Sequence, residues 1–177
     1  MDTWALVVAT VASEFRDLHE VEDLTRVVVR LLVAAALGAL LGLEREHAHK
    51  SAGLRTHMLV SLGSALFVLM ALRSDFGPEA LARVIQGVAA GIGFLCAGAI
   101  LKSETSEQVR GLTTSAGLWM TTAIGLTAGL GHEALAVLGT VLALVVLRLE
   151  APVRRWVRKE QGEPQASAPS SQPDETP

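Results

Sequence analysis

The sequence predicts an all-α membrane protein, a polytopic transmembrane bundle of five spanning helices with its N-terminus outside and its C-terminus cytoplasmic. Three observations carry that expectation: the composition, five apolar runs near membrane-crossing length, and the division of lysine and arginine between loops. Half of the 177 residues are apolar and only 19% are charged, against roughly 25% in an ordinary soluble domain. The charges gather in short gaps between apolar stretches, so the net charge of −3 says little about partners. A soluble helical domain would need a polar outer face on each helix, and these runs have almost none. No nucleic-acid partner is expected.

A helix crossing ~30 Å of hydrocarbon needs about 20 apolar residues, or about 17 at the short end. The runs Val27–Leu43, Leu54–Leu72, Val84–Leu101, Leu112–Leu130 and Ala134–Leu149 reach or approach that length. In the last and shortest, Arg148 can snorkel to the interface. Each run is expected to be helical, because a helix satisfies its own backbone polar groups in lipid. Orientation follows from the basic residues. The C-terminal side carries Arg45, Lys50, Arg55, Lys102, Arg110, Arg148, Arg154, Arg155, Arg158 and Lys159; the other carries Arg16, Arg26, Arg73 and Arg83. Ten against four places the C-terminus inside.

Four segments result. Residues 1–23 form an interfacial N-terminal segment, apolar from Trp4 to Ala12 and then charged at Glu14, Arg16, Asp17 and Glu20. Asp2 precedes the apolar stretch and no basic region does, so a cleavable signal peptide of the usual kind is not expected. Residues 24–150 are the transmembrane domain. Residues 151–160 are a basic juxtamembrane segment with Trp156, suited to anionic headgroups. Residues 161–177 hold four of the six prolines and no large apolar side chain, and are expected to be disordered.

Small residues let helix backbones approach in lipid, where no hydrophobic drive joins helices. Gly38–Gly42, Gly87–Gly91 and Gly125–Gly129 are GxxxG pairs in three different runs. The third run also carries Gly93 and Gly98. It reads as a central helix that neighbours approach closely, in preference to a broken helix lining a transport site. The spacing does not separate contacts within a chain from those between chains. A second copy or another membrane protein therefore joins the bilayer as an expected partner. Cys96, the single cysteine, lies inside this run and reads as a small hydrophobe.

Arg30 is the costliest residue on this reading, at about 2.5–3.5 kcal/mol if central in a span. It shares a helical face with Ala34, Leu37, Leu41, Glu44 and Arg45. Arg30 and Glu44 lie ~21 Å apart along the axis, so each needs a partner from elsewhere. Glu44, Arg45 and Glu46 close the first span. A carboxylate there opposes the helix dipole, which points to a compensating cation such as Arg55 or Lys50. His47, His49 and His57 are assigned to the same loop, but their spacing matches no metal signature, and a solvated loop is expected. Magnesium would take oxygen ligands, for which Glu44, Glu46, Asp75 and Glu104 are the acids near span ends. No run contains a carboxylate, which counts against a cation-coupled transporter. Gln86 is a further costly group in the third run. Thr113, Thr114, Ser115, Thr121 and Thr122 form a polar strip in the fourth, bonding to their own backbone by default or across to the third. No span supplies a nucleophile–base pair, so neither enzyme activity nor a cofactor is expected.

The stretch ALGALLGLERE ending at Glu46, AGLRTHMLVSLGSALF at 52–67, RVIQGVAAGIGFLCAGAIL at 83–101 and GLTTSAGLWMTTAIGLTAGLG at 111–131 closely resemble the N-terminal membrane domain of the MgtC/SapB family. The four blocks follow the family's order over roughly residues 27–149. Cys96 departs from it, standing where the family usually has glycine. The resemblance implies a multi-pass bacterial inner-membrane protein tied to magnesium limitation, acid stress and virulence. It implies a regulator of partner membrane proteins, including the F-type ATP synthase, rather than a pump. Motif positions carried over are Gly42, Glu44, Arg45, Glu46, Gly53, Arg55, Thr56, Arg83, Gln86, Gly91, Gly93, Phe94, Gly98, Gly111, Thr113, Thr114 and Trp119. The soluble C-terminal domain of some relatives is expected to have no counterpart in 161–177. The candidate functional cluster is Arg30, Glu44, Arg45, Glu46, Arg55, Thr56, Arg83, Gln86, Thr113 and Thr114. The alternative to a regulator is a small transporter or channel for a divalent cation or another solute, on the strength of the glycine-rich third run, Gln86, Arg30 and the interfacial acids.

Overall fold

Six helices account for nearly all of the residues described by the computed structural model, which are 2–14, 20–74, 77–102 and 109–160. They are α1 (Thr3–Glu14), α2 (Val21–His47), α3 (Leu54–Arg73), α4 (Pro78–Ala99), α5 (Leu112–Gly129) and α6 (Glu133–Glu160). A two-residue antiparallel ladder, β1 (Leu101–Lys102) with β2 (Val109–Arg110), stands between α4 and α5. The class is all-α, as expected. Among the described residues three helices, α2, α3 and α4, are long and apolar enough to cross a membrane.

Each predicted run falls within one helix, apart from the last residue or two of the third and fourth, and the boundaries differ for local reasons. Helix α2 starts at Val21 rather than Val27 because Glu22 and Asp23 suit the positive end of its dipole. Arg26 fastens that turn, 2.6 Å from Glu22 Oε1 and 3.3 Å from Asp23 Oδ1. Pro78 opens α4, where its locked φ and missing N–H cost nothing. Helix α4 ends at Ala99, where the ladder takes over. The basic stretch 151–160 is the end of α6 and not a separate element. A second unit begins at Val145, and its described residues are the last part of α6, to Glu160. The N-terminal segment contains α1, whose residues are all exposed; Arg16 and Asp17 lie outside the described residues, as does the tail 161–177.

The centre of the bundle is α5, packed against α2, α3 and α4, while α3 also packs on α2 and α4. Eleven of the 18 residues of α5 are buried. Helix α4 buries only Ile92 of its 22 residues, and its Phe94 is 85% exposed. This corrects the expectation for the glycine-rich run. A Cβ added at Gly87, Gly91, Gly93 or Gly98 would meet nothing within 4 Å, so α4 is peripheral. It is also unbroken, so the broken-helix alternative falls too. Glycine permits close approach but does not attract it. The centre went to α5, where Thr121, Thr122 and Thr127 satisfy their hydroxyls on their own backbone and leave a small surface.

The close approaches lie elsewhere. A Cβ at Gly38 would be 2.7 Å from the His57 carbonyl oxygen, and one at Gly42 would be 2.6 Å from Leu54 Cα. Gly129 presses on α3 in the same way, where a Cβ would lie 2.7 Å from the Ala65 carbonyl oxygen. The opposing atoms are backbone and cannot rotate aside. The buried face of α2 is Ala34, Leu37, Gly38, Leu41, Gly42 and Arg45, the stripe its 3.6-residue period predicts.

Candidate functional site

Two polar constellations stand at opposite ends of α2. At its C-terminal end Arg45 is only 1% exposed. Its Nε donates to the Glu44 carboxylate, while its buried Nη1 has no partner among the described residues. The compensating cation for Glu44 is thus its own chain neighbour. Glu46 does something different: its Oε2 accepts from the Leu54 backbone N–H at 2.9 Å, so it caps the N-terminus of the next helix across the loop. Gly53 leaves room for that carboxylate, since a Cβ there would stand 2.9 Å from the same oxygen.

His57 belongs to this constellation and not to a solvated loop. It sits in α3 with no exposed surface. Its Nδ1 lies 3.0 Å from the Gly53 carbonyl oxygen. A carbonyl only accepts, so Nδ1 carries the proton. Nε2 is left buried without a protein partner, facing Gly117 of α5, where a Cβ would lie 3.6 Å away. Glu44 and Arg45 both act electrostatically on this imidazole. The sequence carries a signal for its burial: His57, Ser61, Ser64, Ala65 and Val68 share one face of α3, and all are buried. His47 and His49 are exposed, and among the described residues no three His, Cys, Asp or Glu gather where they would hold a metal ion. Asp75 and Glu104 lie outside the described residues.

At the other end Arg30 finds the partners that sequence geometry said it must import. Its Nη1 donates to the Gly129 carbonyl at 3.1 Å, and Nε is 3.9 Å from Glu133 Oε1 without a hydrogen bond. The guanidinium lies over the α5–α6 turn, where a Cβ on Gly131 would be 2.7 Å from Arg30 Cζ. Gly131 also has φ of +85°, a region that favours glycine. Gly131→Ala is therefore expected to cost about 2–3 kcal/mol, from strain and crowding together. Thermal unfolding in detergent checks this, with Gly63→Ala as the near-neutral control, since a Cβ at Gly63 meets nothing within 4 Å.

The ten residues proposed as one functional cluster are therefore not one cluster. Arg30 and Arg45 are 15 residues apart on α2, about 22 Å by helix rise. Thr114 is buried on the first turn of α5, while Arg55, Thr56 and Thr113 are exposed near the starts of α3 and α5. Arg83 and Gln86 are exposed on α4. Thr121 and Thr122 donate to their own helix, to the Gly117 and Leu118 carbonyls. Ser115 crosses to α4 instead: its Oγ donates to the Cys96 carbonyl at 2.7 Å, and Cys96 Sγ donates back to the Ser115 carbonyl at 3.3 Å. Cys96 thus joins α4 to α5 at the position where the resemblance puts glycine.

Two of the cavities among the described residues lie between helices of the bundle. One, of about 680 Å³, is an apolar groove between α3 and α4 at Phe67, Gly87 and Gly91. The other, of about 1050 Å³, lies between α2 and α3 beside Arg30.

Helices of spanning length, outward apolar faces and ionic groups held near helix ends define a helical membrane protein. The chain belongs to the MgtC family, whose profile matches residues 31–156. It is 41% identical over 143 residues to Protein SrpB of Synechococcus elongatus, covering 73% of this chain and 79% of that protein. It is 38% identical over 129 residues to the putative magnesium transporter YhiD of Escherichia coli K12, covering 69% and 59%. With Protein MgtC of Salmonella typhimurium it shares 40% identity over 117 residues, 66% of this chain and 49% of that one. The chain thus spans much of the first but only about half to three-fifths of the other two. No solved structure matches it significantly.

Proposed function

We propose that this is a multi-pass protein of the bacterial inner membrane, crossing it five times through α2 to α6 with its N-terminus outside. It acts without catalysis, regulating membrane physiology under magnesium limitation, acid stress or infection through contacts with other membrane proteins. The ten-to-four division of basic residues supports the orientation. One observation carries the mode of action: α4 is a 22-residue apolar helix with a single buried residue and four glycines at which an added Cβ would meet nothing within 4 Å. Glycines on an outward face in lipid suit the approach of a further helix, from a second copy or from a partner such as the F-type ATP synthase that the family resemblance implies. The α2–α3–α5 interior is closed by backbone contact at Gly38, Gly42 and Gly129, and the half-buried carboxylate of Glu44 at the end of α2 is tied to Arg45.

A second reading, a small transporter for a divalent cation or another solute, is favoured by the name of the Escherichia coli relative, a putative magnesium transporter. Two measurements separate them. Purified protein in liposomes is expected to give no saturable Mg²⁺ flux, and Gly91→Leu is expected to remove a protein that co-purifies with the wild type from native membranes. Saturable flux with no partner present, or co-purification indifferent to the α4 substitution, would overturn the regulatory reading.

A further inference from the structure

We infer that a second copy of this chain docks on the outward side of α4, with Gln86 of each copy hydrogen-bonded to Gln86 of the other across a two-fold axis along the membrane normal. The inference rests on the membrane reading and commits this side of α4 to one partner.

The face comes first. At about 100° per residue, Gln86, Ala89, Ala90, Gly93 and Ala97 fall within roughly a third of the helix surface, and all five are exposed. Val88 and Gly91 lie on the opposite side, lining the groove against α3, and Cys96 bonds to α5. The Gln86 side is thus turned from both helices. Four small residues open its backbone to close approach. Gln86 itself lies about 12 Å along α4 from Pro78 by helix rise, inside the apolar run. Its amide makes no hydrogen bond among the described residues. In hydrocarbon an unpaired amide is costly, and a facing amide removes that cost.

Complementarity selects a second copy over an unrelated helix. Copies of one chain insert the same way round, so equal residues lie at equal depth. An amide donates and accepts at once, which makes Gln86 its own complement. Charge points the same way. Nearer the start of α4, Glu79 and Arg83 stand one turn apart, both exposed. Neither forms an ion pair among the described residues. A two-fold axis brings Glu79 of each copy within reach of Arg83 of the other, two opposite-charge pairs at the bilayer edge. An unrelated helix would have to supply an amide, a cation and an anion at matching depths.

The test counts subunits of the full chain in phosphatidylcholine liposomes by single-molecule photobleaching as the protein is diluted into lipid. Wild type is expected to be dimeric at high density, and Gln86→Leu to weaken association about tenfold, the weight of one or two interhelical hydrogen bonds. Gly93→Leu should weaken it by blocking close approach, while Gly91→Leu, on the groove side, should leave it unchanged. Glu79→Arg should weaken it, and Glu79→Arg with Arg83→Glu should restore it. All these positions are exposed, so the bundle folds in each variant. Monomers at every density, or a dimer indifferent to Gln86→Leu and Gly93→Leu, overturn the interface. Sensitivity to Gly91→Leu alone moves the contact to the groove and overturns it too. A monomer that still co-purifies with another membrane protein overturns the dimer and leaves the regulatory reading standing. Failure to enter liposomes overturns the membrane reading, and this inference with it.

Discussion

Gly125→Ala is expected to cost the bundle about 3 kcal/mol or more, whereas Gly91→Ala, an identical exchange, is expected to cost nothing. The difference follows from what the added methyl meets. At Gly125 a Cβ would lie 2.8 Å from Ser61 Cα and closer still to the Ser61 carbonyl oxygen. Ser61 cannot retreat, because α2 stands behind it: a Cβ at Gly38 would be 2.8 Å from Ser61 Cβ, and Ser61 Oγ donates to the Ala34 carbonyl at 2.7 Å. Three helices therefore meet at one serine, with glycine on both flanks. A methyl at Gly125 must move a helix, and overpacking of a tight core costs about 1–3 kcal/mol even where smaller shifts suffice. At Gly91 nothing lies within 4 Å, so the substitution gains up to about 1 kcal/mol of helix propensity on the scale measured in water. Denaturant unfolding in micelles, followed by circular dichroism, measures the pair. Tolerance of Gly125→Ala would dissolve the three-helix junction; a comparable loss at Gly91 in the isolated chain would put α4 inside the bundle.

The same contrast shows which parts of the architecture were legible. Helix positions and the buried face of α2 came directly from apolar run length and a 3.6-residue period, which are local properties. The identity of the central helix did not. Both α4 and α5 carry glycines in spacings that allow close packing, and only the company they keep differs. Six of the 18 residues of α5 are serine or threonine, and the buried Thr121 and Thr122 satisfy themselves one turn back. Lipid-facing positions favour bulk, as at Phe94 and Leu95 of α4, which are 85% and 51% exposed. A hydroxyl-rich apolar helix is therefore the better guide to a bundle's centre than a glycine-rich one. Long-range partners were illegible for a different reason. Arg30 reaches the Gly129 carbonyl 99 residues away, and one sequence states that Arg30 needs a partner without saying which. His57 lies inside the predicted run Leu54–Leu72, yet its burial depends on which face of α3 meets its neighbours, and that is not a local property.

Arg45→Ala is expected to destabilise the fold by about 3–5 kcal/mol, the range for breaking a buried ion pair by removing one partner. It should exceed Arg30→Ala, although sequence reasoning ranked Arg30 as the costlier cation. Depth decides the order. The Arg30 side chain keeps 19% of its surface exposed, while Arg45 keeps 1% and its partner Glu44 keeps 15%. Truncating Arg45 strands the Glu44 carboxylate, whose side chain is only 15% exposed. The loss is therefore a penalty on what remains and not the worth of the pair, and it can be separated from packing. Arg45→Met with Glu44→Gln keeps most of the volume and leaves no charge to strand. Replacing buried ion pairs by groups of similar volume is often neutral or better, so the double variant should recover most of the stability that Arg45→Ala loses. A double-mutant cycle on Arg45→Met and Glu44→Gln, read by unfolding in micelles, then gives the coupling directly. Single substitutions that each prove harmless would mean that water reaches this pair, and Arg45 would lose its place at the junction of α2 and α3.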